Sequence, residues 1–348
     1  MANPVRIGLN GFGRIGRLFL RQALERPEFE IVAINDLGDL ENLAYLVKYD
    51  TVYGHYQKEI KIDKEKNLLI VAGKPIKILQ VKDPLELPWR DLDIHIAVEA
   101  TGFFESYEKA KAHITAGAKR AVITAPAKDP DGAPPDGGGK TVLMGVNEGE
   151  LKSAVITSNG SCTTNAASPV IQVLSENPGI AKAILNTVHG YTATQNIVDG
   201  PVKGGHDFRR GRTASQNIVP STTGSAIAVA RAIPEMNGKF DGIALRVPVP
   251  TGSIADITFV AKRKTSVEEI NKILKDAAAS PRWQGILTVS EDQLVSSDII
   301  GMPYGAIVDL NFTKVIDGDL VKVLSWYDNE WGYVSTLVRH LLRVAEIL

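Results

Sequence analysis

The stretch VRIGLNGFGRIGRLFLRQALERPEFEIVAIND, residues 5–36, carries the pattern that decides the fold. Val5 to Leu9 reads as a short buried strand, and Gly11-Phe12-Gly13-Arg14-Ile15-Gly16 follows at once. A helix is predicted from about Arg14 to Glu25, with Ile15, Leu18, Phe19 and Ala23 on one face and Pro27 ending it. Phe29 to Ile34 is the next strand, closing on Asn35-Asp36. This is G-x-G-x-x-G set between a strand and a helix, with an acid about 20 residues further on. The first glycines permit a tight turn and close backbone approach to a pyrophosphate, which sits on a helix N-terminus. Asp36 would accept from the adenosine ribose hydroxyls and repel a 2′-phosphate, which favours NAD over NADP.

The next hundred residues extend the same pattern. Helices are expected over Asn42–Tyr49 and Ser106–Ala116, and strands over Leu68–Val71, Ile76–Val81, Ile94–Glu99, Ala121–Ile123, Val142–Gly145 and Val155–Thr157. Two of these strands end in small polar residues, Thr101 and Thr124, which suits a parallel sheet with its ligand at the carboxyl ends. Lys82 follows another strand and either faces the cofactor or is simply solvated. DPDGAPPDGGGK, residues 129–140, reads as a surface loop. The expected architecture is α/β: a Rossmann-type doubly wound parallel sheet over residues 1–161.

TSNGSCTTNAASP, residues 157–169, holds the only cysteine, Cys162. A buried run leads in and a periodic apolar run follows, so the thiol is placed at a first helical turn. Free N–H groups and the positive end of the helix dipole gather there, and both favour a thiolate. Ser161, Thr163 and Thr164 add hydroxyls. A lone cysteine is more often a small core residue, but Ser, Asn, Gly and Thr are poor company for a core position. A strand over Ala183–Val188 delivers His189. A cysteine and a histidine, each on its own strand end, suggest a nucleophile and its base. The other five histidines show no such pairing.

Residues 195–220 have no clear periodicity and carry Gly204-Gly205 and Arg209-Arg210-Gly211-Arg212, a solvated surface or an attractor of a phosphorylated ligand. Ser221-Thr222-Thr223-Gly224 opens a helix, Ser225–Ile233, and gives a second hydroxyl-rich N-terminus able to hold an anion. Arg246 interrupts the apolar run of Gly242–Val249, so an anionic ligand is a plausible partner for it. Strands over Ile254–Ala261, Val308–Phe312 and Leu320–Tyr327, with helices over Val267–Ala277 and Val334–Ile347, complete an α+β domain, 162–329, whose sheet is mostly antiparallel. The C-terminal segment 330–348 is expected to complete the first domain.

With 348 residues the chain suits two domains. A net charge of −1 gives no global preference for nucleic acid or an anionic membrane. One cysteine excludes an internal disulfide, and the absence of CxxC or Cys/His pairing excludes the usual structural zinc sites; no metal is expected. No signal-peptide pattern or membrane-length apolar run is seen, so the expectation is a cytoplasmic protein.

The motifs LNGFGRIGR from Leu9, SNGSCTTN from Ser158, HGYTATQ from His189, QNIVPSTTG from Gln216, LRVPVPTGS from Leu245 and WYDNEWGY from Trp326 occur in order. In them the chain resembles the phosphorylating glyceraldehyde-3-phosphate dehydrogenases. The resemblance implies oxidative phosphorylation of glyceraldehyde 3-phosphate to 1,3-bisphosphoglycerate with reduction of NAD. Cys162 would be the nucleophile and His189 its base. Gly11, Gly13, Arg14, Ile15, Gly16, Asp36, Lys82, Thr101, Thr124 and Asn329 fall at cofactor positions. Ser161, Thr163, Thr192, Thr223, Gly224 and Arg246 fall at positions for the substrate phosphate and the attacking phosphate, with Arg209 taken from the arginine cluster. A homotetramer is implied. The alternatives are the same chemistry on erythrose 4-phosphate, a non-catalytic NAD-binding protein, and nucleic-acid binding through the arginine cluster, which has little compositional support.

Overall fold

The computed structural model describes residues 4–132, 138–202 and 206–348. Gly204-Gly205 and the middle of the 129–140 loop lie outside the described residues. The chain divides into two compact units. One comprises Met1–Val142, Glu148–Gly160 and Leu337–Leu348; the other comprises Leu143–Asn147 and Ser161–Thr336. The division therefore falls at 160/161 and returns at 336/337, inside the last helix, rather than at 329/330.

The first unit is built on strands β1 (Val5–Asn10), β2 (Phe29–Asn35), β3 (Ile60–Asp63), β4 (Leu68–Val71), β5 (Lys74–Leu79), β6 (Ile96–Glu99), β7 (Arg120–Ile123), β8 (Gly139–Thr141) and β9 (Ile156–Ser158). They form one sheet in the order β3-β4-β5-β2-β1-β6-β7-β9-β8. Pairing is parallel from β5 to β8, and only β3–β4 and β4–β5 are antiparallel. Helices α1 (Arg14–Ala23), α2 (Leu40–Lys48) and α3 (Tyr107–Thr115) connect the strands. β6 is buried along its length, as a strand covered on both faces must be. The strand order reverses between β2 and β6 on either side of β1, so a crevice opens at the carboxyl end of β1.

Two local rules fix the glycine turn. Gly11 has φ +98°, and a Cβ there would lie 2.6 Å from the Ala100 carbonyl carbon. A Cβ on Gly16 would lie 2.2 Å from the Gly11 carbonyl oxygen, so α1 seats against the turn only with glycine. The expected strand at 142–145 is instead β8, three residues earlier. Gly145 has φ +77° and Leu143 N–H donates to Asn147 Oδ1 at 2.8 Å, which closes a turn there.

The second unit holds β10 (Ile180–Gly190), β11 (Val219–Thr222), β12 (Phe240–Val247), β13 (Ser253–Ala261), β14 (Leu287–Ser290), β15 (Ala306–Ile316) and β16 (Leu320–Tyr327), with helices α4 (Cys162–Glu176), α5 (Ser225–Ala232) and α6 (Val267–Ala279). α7 (Trp331–Ala345) begins here. The sheet order is β11-β12-β10-β13-β16-β15-β14. Only β10–β12 and β14–β15 are parallel. β13 alternates buried and half-buried residues with period two, so one face packs inward. The outer face leaves Ile184 and Ile243 more than half exposed. β11, unforeseen in the sequence, carries Pro220 and sits at the edge, where a missing N–H is tolerated. Pro169 lies inside α4 without ending it. The neighbouring Val170, Ile171 and Leu174 are fully buried and offset the roughly 3 kcal/mol that an interior proline costs.

Candidate active site

Gly11, Gly13, Asp36, Lys82 and Thr101, all named from sequence, line one cavity of about 490 Å³ at the carboxyl ends of the first sheet, together with Asn10, Asn35, Leu37, Val81 and Phe103. Asp36 accepts from Phe12 N–H at 2.7 Å and Gly38 N–H at 2.8 Å. Those bonds fix its carboxylate and leave acceptor capacity for ribose hydroxyls. A Cβ on Gly13 would meet nothing within 4 Å, so the head of α1 opens onto free space. Gly13 caps that helix with no side-chain bond, which leaves first-turn N–H groups available to an anion. These residues fit a dinucleotide.

Five cofactor residues named from sequence do not line this cavity. Gly16 lies behind the turn, and Ile15 and Thr124 are half-buried elsewhere in the unit. The Arg14 guanidinium is engaged away from the cavity. It pairs with Asp50 and stands over the Tyr53 ring at 5.7 Å. Burial pushes the Asp50 carboxyl up, but the Tyr53 N–H, Arg14 and the Val52 N–H outweigh it and hold it low. The Arg14 side chain is thus committed to a structural ion pair. Asn329 belongs to the second unit, where Oδ1 accepts from Ser253 Oγ at 2.8 Å and Thr251 Oγ1 at 3.1 Å.

In the second unit Cys162 is the first residue of α4. Ser161 caps the helix: its Oγ accepts from Thr164 N–H at 3.0 Å, and Ser161 N–H donates to Thr164 Oγ1 at 3.1 Å. Cys162 Sγ lies 3.3 Å from His189 Nε2. His189 is near the end of β10, in register with Arg246 of β12, so the ladder itself delivers a base beside a cation. His189 Nδ1 is 2.6 Å from the Gly190 carbonyl oxygen, which can only accept, so when this bond forms, in competition with the donating Arg246 Nη1, the proton is on Nδ1. That tautomer leaves Nε2 with a lone pair toward the thiol. Arg246 Nη1 also approaches Nδ1, at 2.7 Å, and the Gly190 oxygen at 3.4 Å.

The electrostatics differ from the sequence expectation in one respect. Burial pushes the Cys162 thiol up; Arg246, the Thr163 hydroxyl and the Thr163 and Cys162 N–H groups pull it down without prevailing. Helix position alone therefore does not ionise the sulfur in the empty site. Burial, then Arg246, lowers His189 to about 3, against the Gly190 bond. Burial thus pushes both groups toward their neutral forms.

The hydroxyls named from sequence divide. Ser161 Oγ, Ser225 Oγ and Thr223 Oγ1 form a chain at 3.0 and 2.9 Å that joins the starts of α4 and α5. Gly224 caps α5 without a side-chain bond, and a Cβ there would meet nothing within 4 Å. Thr192 is half-buried and pairs with Thr194 at 2.9 Å. Thr163 is buried, its hydroxyl 2.8 Å from Tyr327 Oη, so it faces the interior rather than an open anion site. Arg209 is solvated and paired with Asp207 at 2.7 Å. Arg210 is the inward arginine, bonded to Ser221 Oγ at 2.9 Å and close enough to lower His189. Sequence reasoning also missed Tyr327, which bridges Thr163 and Thr187 and stands edge-on to His189 with ring centroids 6.0 Å apart. Its signal was an aromatic at the end of a strand inside WYDNEWGY.

Comparison with known proteins agrees with this geometry. Residues 5–107 match the family model "Glyceraldehyde 3-phosphate dehydrogenase, NAD binding domain" and residues 161–329 match "Glyceraldehyde 3-phosphate dehydrogenase, C-terminal domain". The chain is 46% identical over 337 residues, 96% of each chain, to a glyceraldehyde-3-phosphate dehydrogenase of Streptomyces coelicolor. It is 45% identical over 346 residues, 98% of this chain and 99% of the relative, to that of Clostridium pasteurianum. It is 44% identical over 342 residues to glyceraldehyde-3-phosphate dehydrogenase 2 of Bacillus subtilis, covering 97% and 96%. Matched from end to end in this way, the chain belongs to the glyceraldehyde-3-phosphate dehydrogenase family.

Proposed function

We propose that the chain oxidises glyceraldehyde 3-phosphate to 1,3-bisphosphoglycerate with NAD and inorganic phosphate. The observation that carries this is the Cys162 Sγ to His189 Nε2 contact of 3.3 Å beside Arg246, at two hydroxyl-laced helix starts. Cys162 Sγ attacks the aldehyde carbon while His189 Nε2 takes the thiol proton and returns it to the developing alkoxide, giving a thiohemiacetal. When bound on Gly11, Gly13, Asp36, Lys82 and Thr101, NAD supplies the hydride acceptor for that carbon. His189 takes the hydroxyl proton as the carbon is oxidised to a thioester. A phosphate oxygen then attacks the thioester carbon, the C–S bond breaks, and Cys162 leaves as a thiolate as the acyl phosphate is released.

Arg246, Arg210, Ser161, Thr223 and the N–H groups near Gly224 hold the two phosphate groups. A phosphate oxygen also draws Arg246 off the imidazole, where its charge suppresses the base. The fold forms a homotetramer: the outer sheet face with Ile184 and Ile243, and the exposed Ile197, Val198, Phe208 and Ile218, supply apolar contacts. The proposed location is the cytoplasm. Among the described residues no helix is long and apolar enough to cross a membrane.

The test measures NADH formation from glyceraldehyde 3-phosphate, with and without phosphate, before and after alkylation of Cys162. The expected result is steady turnover only with phosphate and a free thiol. Turnover that persists without phosphate, or after complete alkylation, overturns the assignment.

A further inference from the structure

Beneath the dinucleotide cavity lies a buried carboxylate that the reaction does not use. Glu99, at the end of β6, is 1% exposed. Its Oε2 accepts from Asn10 Nδ2 at 2.6 Å and His113 Nε2 at 2.9 Å. Its Oε1 accepts from Thr101 N–H at 2.8 Å and from the Thr101 hydroxyl. Four donors fill a carboxylate's acceptor capacity.

The direction of every bond in this network is fixed. Trp89 Nε1–H, which can only donate, gives its hydrogen to His113 Nδ1 at 3.1 Å. His113 must therefore carry its hydrogen on Nε2 and donate it to Glu99. At the other end Val81 N–H donates to Asn35 Oδ1 at 2.8 Å, which turns Asn35 Nδ2 toward Asn10 Oδ1 and the Val81 carbonyl, both at 2.8 Å. The Thr101 hydroxyl, donating to Glu99, accepts from Phe103 N–H at 3.1 Å. The outer members of this network are walls of the cavity. The partners of Glu99 are all neutral, so its charge is met by hydrogen bonds and by no cation.

We propose that Glu99 is a positioning residue for the adenosine half of the cofactor: it fixes the Asn10 amide and the Thr101 hydroxyl at the cavity wall. This rests on the cavity being the dinucleotide site. An amide cannot replace the carboxylate. If Gln places its oxygen toward His113 and Asn10, its NH₂ faces Thr101 N–H. Turned the other way, it faces two donors at once. In either orientation the error reaches the cavity wall, because donor-only groups close the network at both ends.

The test compares Glu99→Gln with Trp89→Phe, which loosens the same network from its far side. Binding of NAD and of ADP-ribose, which lacks the nicotinamide, is measured by titration of the full-length protein, with thermal midpoint and turnover at saturating NAD. Glu99→Gln is expected to weaken both ligands at least tenfold and to keep kcat within twofold. Trp89→Phe is expected to lower the thermal midpoint while binding both ligands within twofold of wild type. Equal affinity losses in the two variants, following their loss of stability, would make Glu99 merely structural and overturn the proposal. So would unchanged ADP-ribose binding in Glu99→Gln. If Glu99→Gln does not fold, Thr101→Val carries the test: at least threefold weaker ADP-ribose binding supports it and unchanged binding overturns it. Wild-type protein that binds neither ligand would instead refute the reading of the cavity.

Discussion

Replacing His189 by Asn removes the proton acceptor and leaves a smaller polar group in its place. His189 is 3% exposed, so solvent has little access to stand in as a base. Nε2 sits 3.3 Å from the sulfur, so proton transfer is direct. General-base assistance is worth on the order of 10²–10⁴ in rate. Burial that excludes water places this case in the upper part of that range, about 10³–10⁴. That corresponds to roughly 4–5 kcal/mol of transition-state stabilisation. The thiol is pushed up by burial, so without the base a neutral sulfur must attack unaided. Rapid-mixing measurement of the first turnover of NADH at saturating NAD isolates the acylation steps. Wild type is expected to show a fast burst, and His189→Asn a slow exponential reduced about 10³-fold or more. A loss below tenfold, in a variant whose thermal midpoint matches wild type, would refute the assignment of His189 as base.

One open and one hemmed-in glycine separate fold from binding. Gly13→Ala should keep the wild-type thermal midpoint and raise KM for NAD at least tenfold, whereas Gly16→Ala, whose Cβ meets the Gly11 oxygen, should lower the midpoint sharply; equal effects in a melting assay would contradict this. Arg209→Ala should change kcat/KM for the aldehyde less than twofold and Arg210→Ala at least tenfold, as read from initial rates; the reverse ranking would restore the solvated arginine. His340 is buried between Thr157 Oγ1 and Asn159 Oδ1, and burial lowers it to about 4. An unstructured histidine titrates near 6.5, so the unfolded chain takes up the extra proton between those values. Stability is therefore whole above pH 6.5 and falls toward pH 4, by on the order of 3 kcal/mol for this residue. His340→Gln should lower the midpoint at neutral pH yet flatten its decline between pH 6.5 and 4; an unchanged slope would exclude the histidine as a source of acid lability.

What the sequence made legible was what short-range sterics decide. Gly11 and Gly16 answer to each other across five residues, and Ser161 caps its own helix three residues on. The parallel and antiparallel sheets follow from strand periodicity. What stayed hidden depended on distant partners. Arg209 and Arg210 are adjacent, and Ser221 and Asp207 decide which turns inward. Thr163 faces the interior because Tyr327 lies there, far along the chain. The expectation of an ionised thiol used the helix start, a local feature, and burial, a property of the whole fold, opposes it.

Arg246 makes no ion pair among the described residues, and its contacts are a ring nitrogen and a carbonyl oxygen. Burial lowers its hold on its proton. A cation without a counter-ion is a vacancy in charge rather than in volume, and it is filled only by what arrives from outside. An uncharged aldehyde of suitable size leaves that vacancy open, while a phosphorylated one closes it on arrival. Under the proposed function, selection among aldehydes would begin with this unmatched charge, before any contact with the carbonyl is made.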